Sequence, residues 1–267
     1  MFIVFEGIDG CGKSTQARML YEYLSTEGHN VLLTAEPTKN VIGSCVREIL
    51  ASGEEIDPRA LALLFTADRY EHIEKEILPA LAANRIVVSE RYYYSTVAYQ
   101  AAQGVDFEWL KKINDLAMGK QPDIVFLLDV GPDFALPKIH EKDNKFLERL
   151  EHLKKRVEEL RKQYLNKRKM LQGRFNTKKA AGVVVAMSRE LECAEEEYQK
   201  EKSKYLKFRR FERPTTLEAE ADKYDVFLGR VRANYLMFDG LTVLDGTRPA
   251  NEVFEDVKKK VSIRLGL

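Results

Sequence analysis

The chain has 267 residues, 45% of them hydrophobic and 32% charged, with a formal net charge of +1, the profile of an ordinary soluble protein with a sizeable core. No apolar run approaches the ~20 residues of a membrane helix, and the N-terminus lacks the charged-then-apolar pattern of a signal peptide, so a cytoplasmic protein without a membrane partner is expected. Cys11, Cys45 and Cys193 are far apart, form no metal-ligand spacing and fit a reducing compartment.

The first element is the apolar run "FIVFEG", read as a strand. It leads into Gly7, Ile8, Asp9, Gly10, Cys11, Gly12, Lys13, Ser14 and Thr15, where Gly7, Gly12, Lys13 and Ser14 fit G-x-x-x-x-G-K-[ST] ahead of a helical pattern. The glycines let backbone N–H groups approach phosphate oxygens, and the helix N-terminus adds positive potential. Lys13 is expected to reach the β- and γ-phosphates of a nucleoside triphosphate, and the Ser14 hydroxyl to ligate Mg²⁺. Cys11 is read as a passive small residue, although Lys13 is near enough to favour its thiolate.

Further apolar runs follow: "NVLLTAE", "RIVVSE", "DIVFLLDV" and "LTVLDG". Near-continuous Val, Ile, Leu and Phe suit strands buried on both faces of a parallel sheet. Helical patterns intervene, among them "PRALALLFTADRYEHIEKEILPALAA". Alternating strand and helix predicts an α/β fold with a doubly wound, five-stranded parallel sheet and helices on both faces.

Residues 143–208 break this rhythm. Phe146, Leu150, Leu153, Val157, Leu160 and Tyr164 form a seam stepping by fours and threes. A second seam runs through Val184, Met187, Leu191, Ala194 and Tyr198 towards Tyr205 and Phe208, and Lys167 and Glu201 interrupt the two. Between them lies "QGRFNT", with Thr177 as a cap and Gly173 and Gly182 flanking the turn. The expectation is an antiparallel coiled-coil hairpin of about 30 residues per arm, roughly 45 Å long. Residues 141–213 carry 22 Lys/Arg against 13 Asp/Glu, leaving the rest of the chain net acidic. The domains are therefore expected at 1–140 with 214–267, and at 141–213. From Arg161 to Lys179 there are eight basic residues and no acidic one. That stretch is either a solvated tip, a docking surface for protein, or a grip on nucleic acid or an anionic surface.

A GTPase would show N-K-x-D, and a coiled-coil ATPase would show L-S-G-G and a late Asp-Glu strand end; the sequence has neither set. "FEGIDGCGKSTQ", "EPT…IGSCVREIL", "LLFTADR", "SERYYYSTVAYQ", "PDIVFLLDV" and "VLDGTRPANEV" instead follow the order and spacing of thymidylate kinases. The chain resembles that family over residues 1–140 and about 222–260. The resemblance implies transfer of the γ-phosphate of ATP to dTMP, giving ADP and dTDP, in a protein that is commonly a homodimer.

Residue by residue, the resemblance implies that Asp9 contacts the sugar 3′-hydroxyl and Phe65 stacks on thymine. Arg69, four residues on and on the same helix face, pairs with a base carbonyl. Arg91 holds the acceptor phosphate, Tyr99 crowds the 2′ position, and Thr96 and Gln100 approach the base edge. Asp222 and Tyr224 match lid-end residues, and Asp245–Arg248 the loop lining adenine. Glu90 stands where the family usually has Asp, and can still reach Mg²⁺ or its waters. Gly10 stands where some members carry a catalytic arginine, so Arg209, Arg210 and Arg213 are the candidates to supply one from the lid. "S-E-R" and Glu36–Pro37 keep open a deoxyribonucleoside kinase, in which Glu36 would activate a neutral hydroxyl.

Overall fold

The five apolar runs form the five strands of one parallel sheet: β1 (Phe2–Glu6), β2 (Val31–Ala35), β3 (Ile86–Glu90), β4 (Ile124–Asp129) and β5 (Thr242–Asp245). The structure is a computed structural model. It describes all residues except 53–54, 116–120, 172–177, 213–220 and 267, and the side chains of 142–143, 178–181, 203–212 and 221–223 also fall outside it. Strand order is β2-β3-β1-β4-β5. β1 is buried throughout, whereas the edge strands β2 and β5 are part-exposed, because only central strands are covered on both faces and flanked on both sides. Register sets Phe5 beside Glu90 on one side and Phe126 on the other. The ends of β1 and β3 thus lie next to each other at the point where the strand order reverses, where α/β sheets take their ligands.

The helices are α1 (Lys13–Thr26), α2 (Val41–Ser52), α3 (Pro58–His72), α4 (Leu78–Ala82), α5 (Tyr93–Ala102), α6 (Phe107–Asp115), α7 (Pro132–Met170), α8 (Lys178–Glu212), α9 (Ala221–Tyr235) and α10 (Ala250–Leu265). α1 packs against α10, while α5 packs against α3, α6 and α9. Leu20 and Leu24 of α1 and Val253, Val257 and Val261 of α10 step by fours into the core. Each such buried side chain contributes about 1.5–3 kcal/mol. In the same core Phe5 stacks on Phe126 at 5.2 Å, and Phe2 meets Tyr92 edge-on at 5.2 Å. α3 starts where Asp57 accepts the Arg59 N–H at 2.8 Å and Pro58 takes a first-turn position, which needs no N–H donor.

The helical segment from residue 58 is interrupted. A π-helical turn spans Ile73–Ile77, and the Leu78 N–H donates to the Ile73 carbonyl. Pro79 follows in the first turn of α4. A proline cannot sit in a continuous α-helix without losing a hydrogen bond and crowding the carbonyl four residues back. The widened turn is how the chain carries it.

The chain divides into two units: Met1–Ile139 with Glu212–Leu267, and His140–Phe211. In the second unit α7 and α8 pair antiparallel through Arg149–Glu201 (3.3 Å), Arg156–Glu197 (3.4 Å) and Arg161–Glu195 (2.6 Å). Leu153 and Ala194 are buried there. Exposed ion pairs contribute only about 0–1 kcal/mol each, so apolar burial does most of the holding. Glu201, which breaks the apolar seam in sequence, is buried and paired with Arg149. Gly182 lies near the start of α8. Gly173 and the Thr177 cap lie outside the described residues. Among the described residues no helix is long and apolar enough to cross a membrane.

Candidate active site

The loop between β1 and α1 is shaped by close backbone approach. A Cβ at Gly7 (φ 139°) would lie 2.7 Å from the Leu128 carbonyl oxygen, and one at Gly10 (φ 77°) 2.7 Å from that of Ala135 and 3.0 Å from Ile139. A side chain at Gly10 would therefore be strained and would crowd the Ala135 carbonyl. Lys13, the first residue of α1, is buried, and its ammonium donates to the carbonyls of Gly7 (2.9 Å) and Ile8 (2.8 Å). Its charge is therefore centred on the loop. Burial pushes the Cys11 thiol up by more than Lys13 pulls it down, so Cys11 stays neutral and the thiolate is disfavoured. Ser14 and Thr15 face solvent, and the Ser14 hydroxyl donates to Glu90 Oε1 at 2.7 Å.

Immediately beyond β3, Arg91 adopts φ 70°, a left-handed conformation that a non-glycine residue takes only when its surroundings enforce it. Its guanidinium pairs with Asp9 Oδ1, donates to Ser95 Oγ at 3.1 Å, and lies 5.2 Å from the centre of the Tyr99 ring. The Asp9 N–H donates to the Tyr99 hydroxyl at 3.1 Å, and burial, with Asp9 nearby, pushes that phenol well above its usual range. Asp9 Oδ2 is buried without a hydrogen-bond partner. Asp9, Arg91 and Tyr99 thus form one cluster against the phosphate loop.

A second cluster surrounds Arg69, which is 1% exposed. It donates to Glu36 Oε2 (Nε 2.9 Å), to Thr96 (2.9 Å) and to Asn114 Oδ1. The other Glu36 oxygen meets His72 Nδ1 at 3.1 Å, and His72 Nε2 meets the Thr34 hydroxyl at 2.8 Å. Both Glu36 oxygens are therefore engaged, which leaves it poorly placed as a general base. Phe65 is half-buried one helical turn before Arg69. Gln100 is buried, and its Oε1 has no hydrogen-bond partner; such an atom costs about 1–3 kcal/mol unless something binds it.

The remaining candidates are spread out. Tyr224 is buried on α9, stacked on Phe227, which in turn packs edge-on against Tyr99. Arg248 pairs with Asp256 beyond β5, in the loop whose Gly246 approaches the Cys11 carbonyl. The side chains of Arg209, Arg210 and Asp222, and all of Arg213, lie outside the described residues. Sequence reasoning missed Glu6, Ser95, Tyr235, His72 and Asn114. A glutamate closing an all-apolar strand was the available signal for Glu6, since a buried carboxylate must find donors.

A phosphate loop on the central strand, with a carboxylate and an arginine at the end of the neighbouring strand, defines a P-loop phosphotransferase of the α/β class. The family model for thymidylate kinase matches residues 5–191. A probable thymidylate kinase from Thermococcus kodakarensis is 47% identical over 147 residues, covering 52% of this chain and 71% of the relative. Another from Thermococcus onnurineus is 45% identical over 168 residues, covering 60% and 81%. The crystal structure of thymidylate kinase from Ehrlichia chaffeensis is 44% identical, covers 48% of this chain and 71% of that one, and has a TM-score of 0.46. The chain belongs to the thymidylate kinase family.

Proposed function

We propose that this protein transfers the γ-phosphate of ATP to the 5′-phosphate of dTMP, giving ADP and dTDP. The observation that carries this reading is the pairing of a phosphate loop with the Asp9–Arg91–Tyr99 cluster at the ends of β1 and β3. The acceptor is a phosphate monoester, already anionic at neutral pH, so its attacking oxygen needs no base. Catalysis then consists of holding two anions in line and neutralising charge on the group in transfer. In this reading Lys13 serves the β- and γ-phosphates and Arg91 the acceptor phosphate. Asp9 takes the 3′-hydroxyl, Tyr99 disfavours a 2′-hydroxyl, and Arg69, Thr96, Gln100 and Phe65 recognise thymine. The crowding and strain that a side chain at Gly10 would meet support supply of the last cation by Arg209, Arg210 or Arg213.

Ser14 and Glu90 present hard oxygen donors 2.7 Å apart at the mouth of the loop, a set suited to Mg²⁺, which takes few protein ligands and otherwise water and phosphate oxygens. Bound there, Mg²⁺ would neutralise charge on the β- and γ-phosphates. The engagement of Glu36 by Arg69 and His72 favours this reading over a nucleoside kinase. The family's habit of dimerisation is also proposed for this chain, supported by Leu63 and Tyr70, which stand exposed seven residues apart on one face of α3.

The test is ADP release from Mg-ATP with dTMP, dUMP, UMP, dCMP or thymidine as acceptor. Strong preference for dTMP is expected. Preference for thymidine would make Glu36 a base and the protein a nucleoside kinase. Release indifferent to every acceptor would make it an ATPase.

A further inference from the structure

Glu6 is the last residue of β1, fully buried, and its carboxylate is surrounded by donors. Oε1 accepts the Tyr92 N–H at 2.7 Å; Oε2 accepts the hydroxyls of Ser95 (2.6 Å) and Tyr235 (3.0 Å). The bonds from Tyr92 and Ser95 bear on Arg91. The Tyr92 N–H belongs to the peptide that follows Arg91, while the Arg91 N–H donates to the Phe5 carbonyl at 2.9 Å and its carbonyl accepts from the Ser89 hydroxyl at 2.9 Å. The turn at φ 70° is therefore pinned on both sides, and Glu6 joins Ser89 in pinning its C-terminal side. Ser95 Oγ carries the second link. An ionised Glu6 can only accept, so the Ser95 proton points at it and the Ser95 lone pairs are left for the Arg91 guanidinium at 3.1 Å.

We propose that Glu6 is a positioning residue for Arg91: it holds the left-handed turn through the Tyr92 N–H and aims the guanidinium through Ser95. This rests on the reading that Arg91 grips the acceptor phosphate. A glutamine at position 6 satisfies only half of the arrangement. If its carbonyl faces Tyr92, its NH₂ donates to Ser95, which must turn its own proton away and give up a lone pair. If the carbonyl faces Ser95, two donors confront each other at Tyr92.

The experiment measures kcat and KM for both nucleotides in Glu6→Gln, Ser95→Ala, Arg91→Ala and the double variant Glu6→Gln/Arg91→Ala, with melting temperature as a fold control. Glu6→Gln is expected to lower kcat/KM for dTMP about 10- to 100-fold, the range of a hydrogen bond to a charged group. Its KM for ATP should stay within about twofold, and Ser95→Ala should show the same selective loss. In the Arg91→Ala background Glu6→Gln should add little, because the residue it positions is gone. A Glu6→Gln loss of the same size with and without Arg91, or a parallel loss towards ATP and dTMP, would overturn the inference by marking Glu6 as merely structural. Where Glu6→Gln fails to fold, Ser95→Ala decides the matter, and wild-type constants for it would also overturn the inference. Arg91→Ala with unchanged dTMP kinetics is a separate failure, that of the reading of Arg91 itself.

Discussion

At Gly10 the backbone conformation and the neighbouring carbonyl act together. With φ at 77° and Ala135 O 2.7 Å from the position of a Cβ, Gly10→Ala incurs both a left-handed penalty and a clash with backbone, which cannot swing away. A loss of about 1–3 kcal/mol is expected, read as a lowered urea midpoint, together with slower turnover because the loop must shift. Unchanged stability and turnover would show that α7 yields there. Glu6 gives a pH dependence of defined sign. Burial pushes its carboxyl above the ordinary 4.5, against the pull of Ser95, Arg91, Tyr92 and Tyr235. The folded chain thus holds a proton that the unfolded chain releases near 4.5. This costs no stability below that pH, and the cost grows as pH rises from 4.5 towards the raised value. Glu6→Gln lacks that cost, so its stability deficit against wild type should narrow from pH 4.5 upwards in urea melts. A deficit that widens would mean that the folded state favours the ionised form.

Among the elements, the hairpin is the part with its own boundaries. Among the described residues, no buried member of the sheet core lies between 140 and 211: after Ile139 the next is Tyr224. Replacing residues 145–206 with a short linker should therefore leave one cooperative unfolding transition, seen by circular dichroism. Because Arg209, Arg210 and Arg213 directly follow the excised segment, turnover is expected to fall and nucleotide KM values to rise. Unchanged kinetics would show that the hairpin has no hold on the lid. The five strands were legible in the sequence because strands covered on both faces cannot alternate, and the phosphate loop because its glycines and lysine sit at fixed spacing beside one another. The π-turn was not: the periodicity from residue 58 to 83 continues through it, and only Pro79 hints at the break. Nor were the distant partners of Arg69 and Arg91, since Glu36, Asn114 and Asp9 lie 33, 45 and 82 positions away. Spacing in sequence carries no information about such pairs until the sheet has brought them together.

For the whole molecule, the exposed face of α3 carries a prediction about assembly. Leu63 is 50% exposed and Tyr70 56%. A single exposed leucine on a monomer needs no explanation, but two large apolar groups seven residues apart lie on one face, with Ala67 exposed between them. Burying such a face against its symmetry mate forms an isologous contact, in which each α3 offers the same patch to the other. The expected mass by light scattering is then twice the 30.7 kDa of one chain. Replacing Leu63 and Tyr70 together with aspartate should return it to 30.7 kDa, because the symmetry operation would bring the new charges of both chains into one desolvated contact. Neither side chain belongs to the buried core of its own chain, so the monomeric variant should keep its far-ultraviolet circular dichroism. A dimer that survives both substitutions would place the interface elsewhere on the surface, and a wild-type chain at 30.7 kDa would remove the dimer altogether.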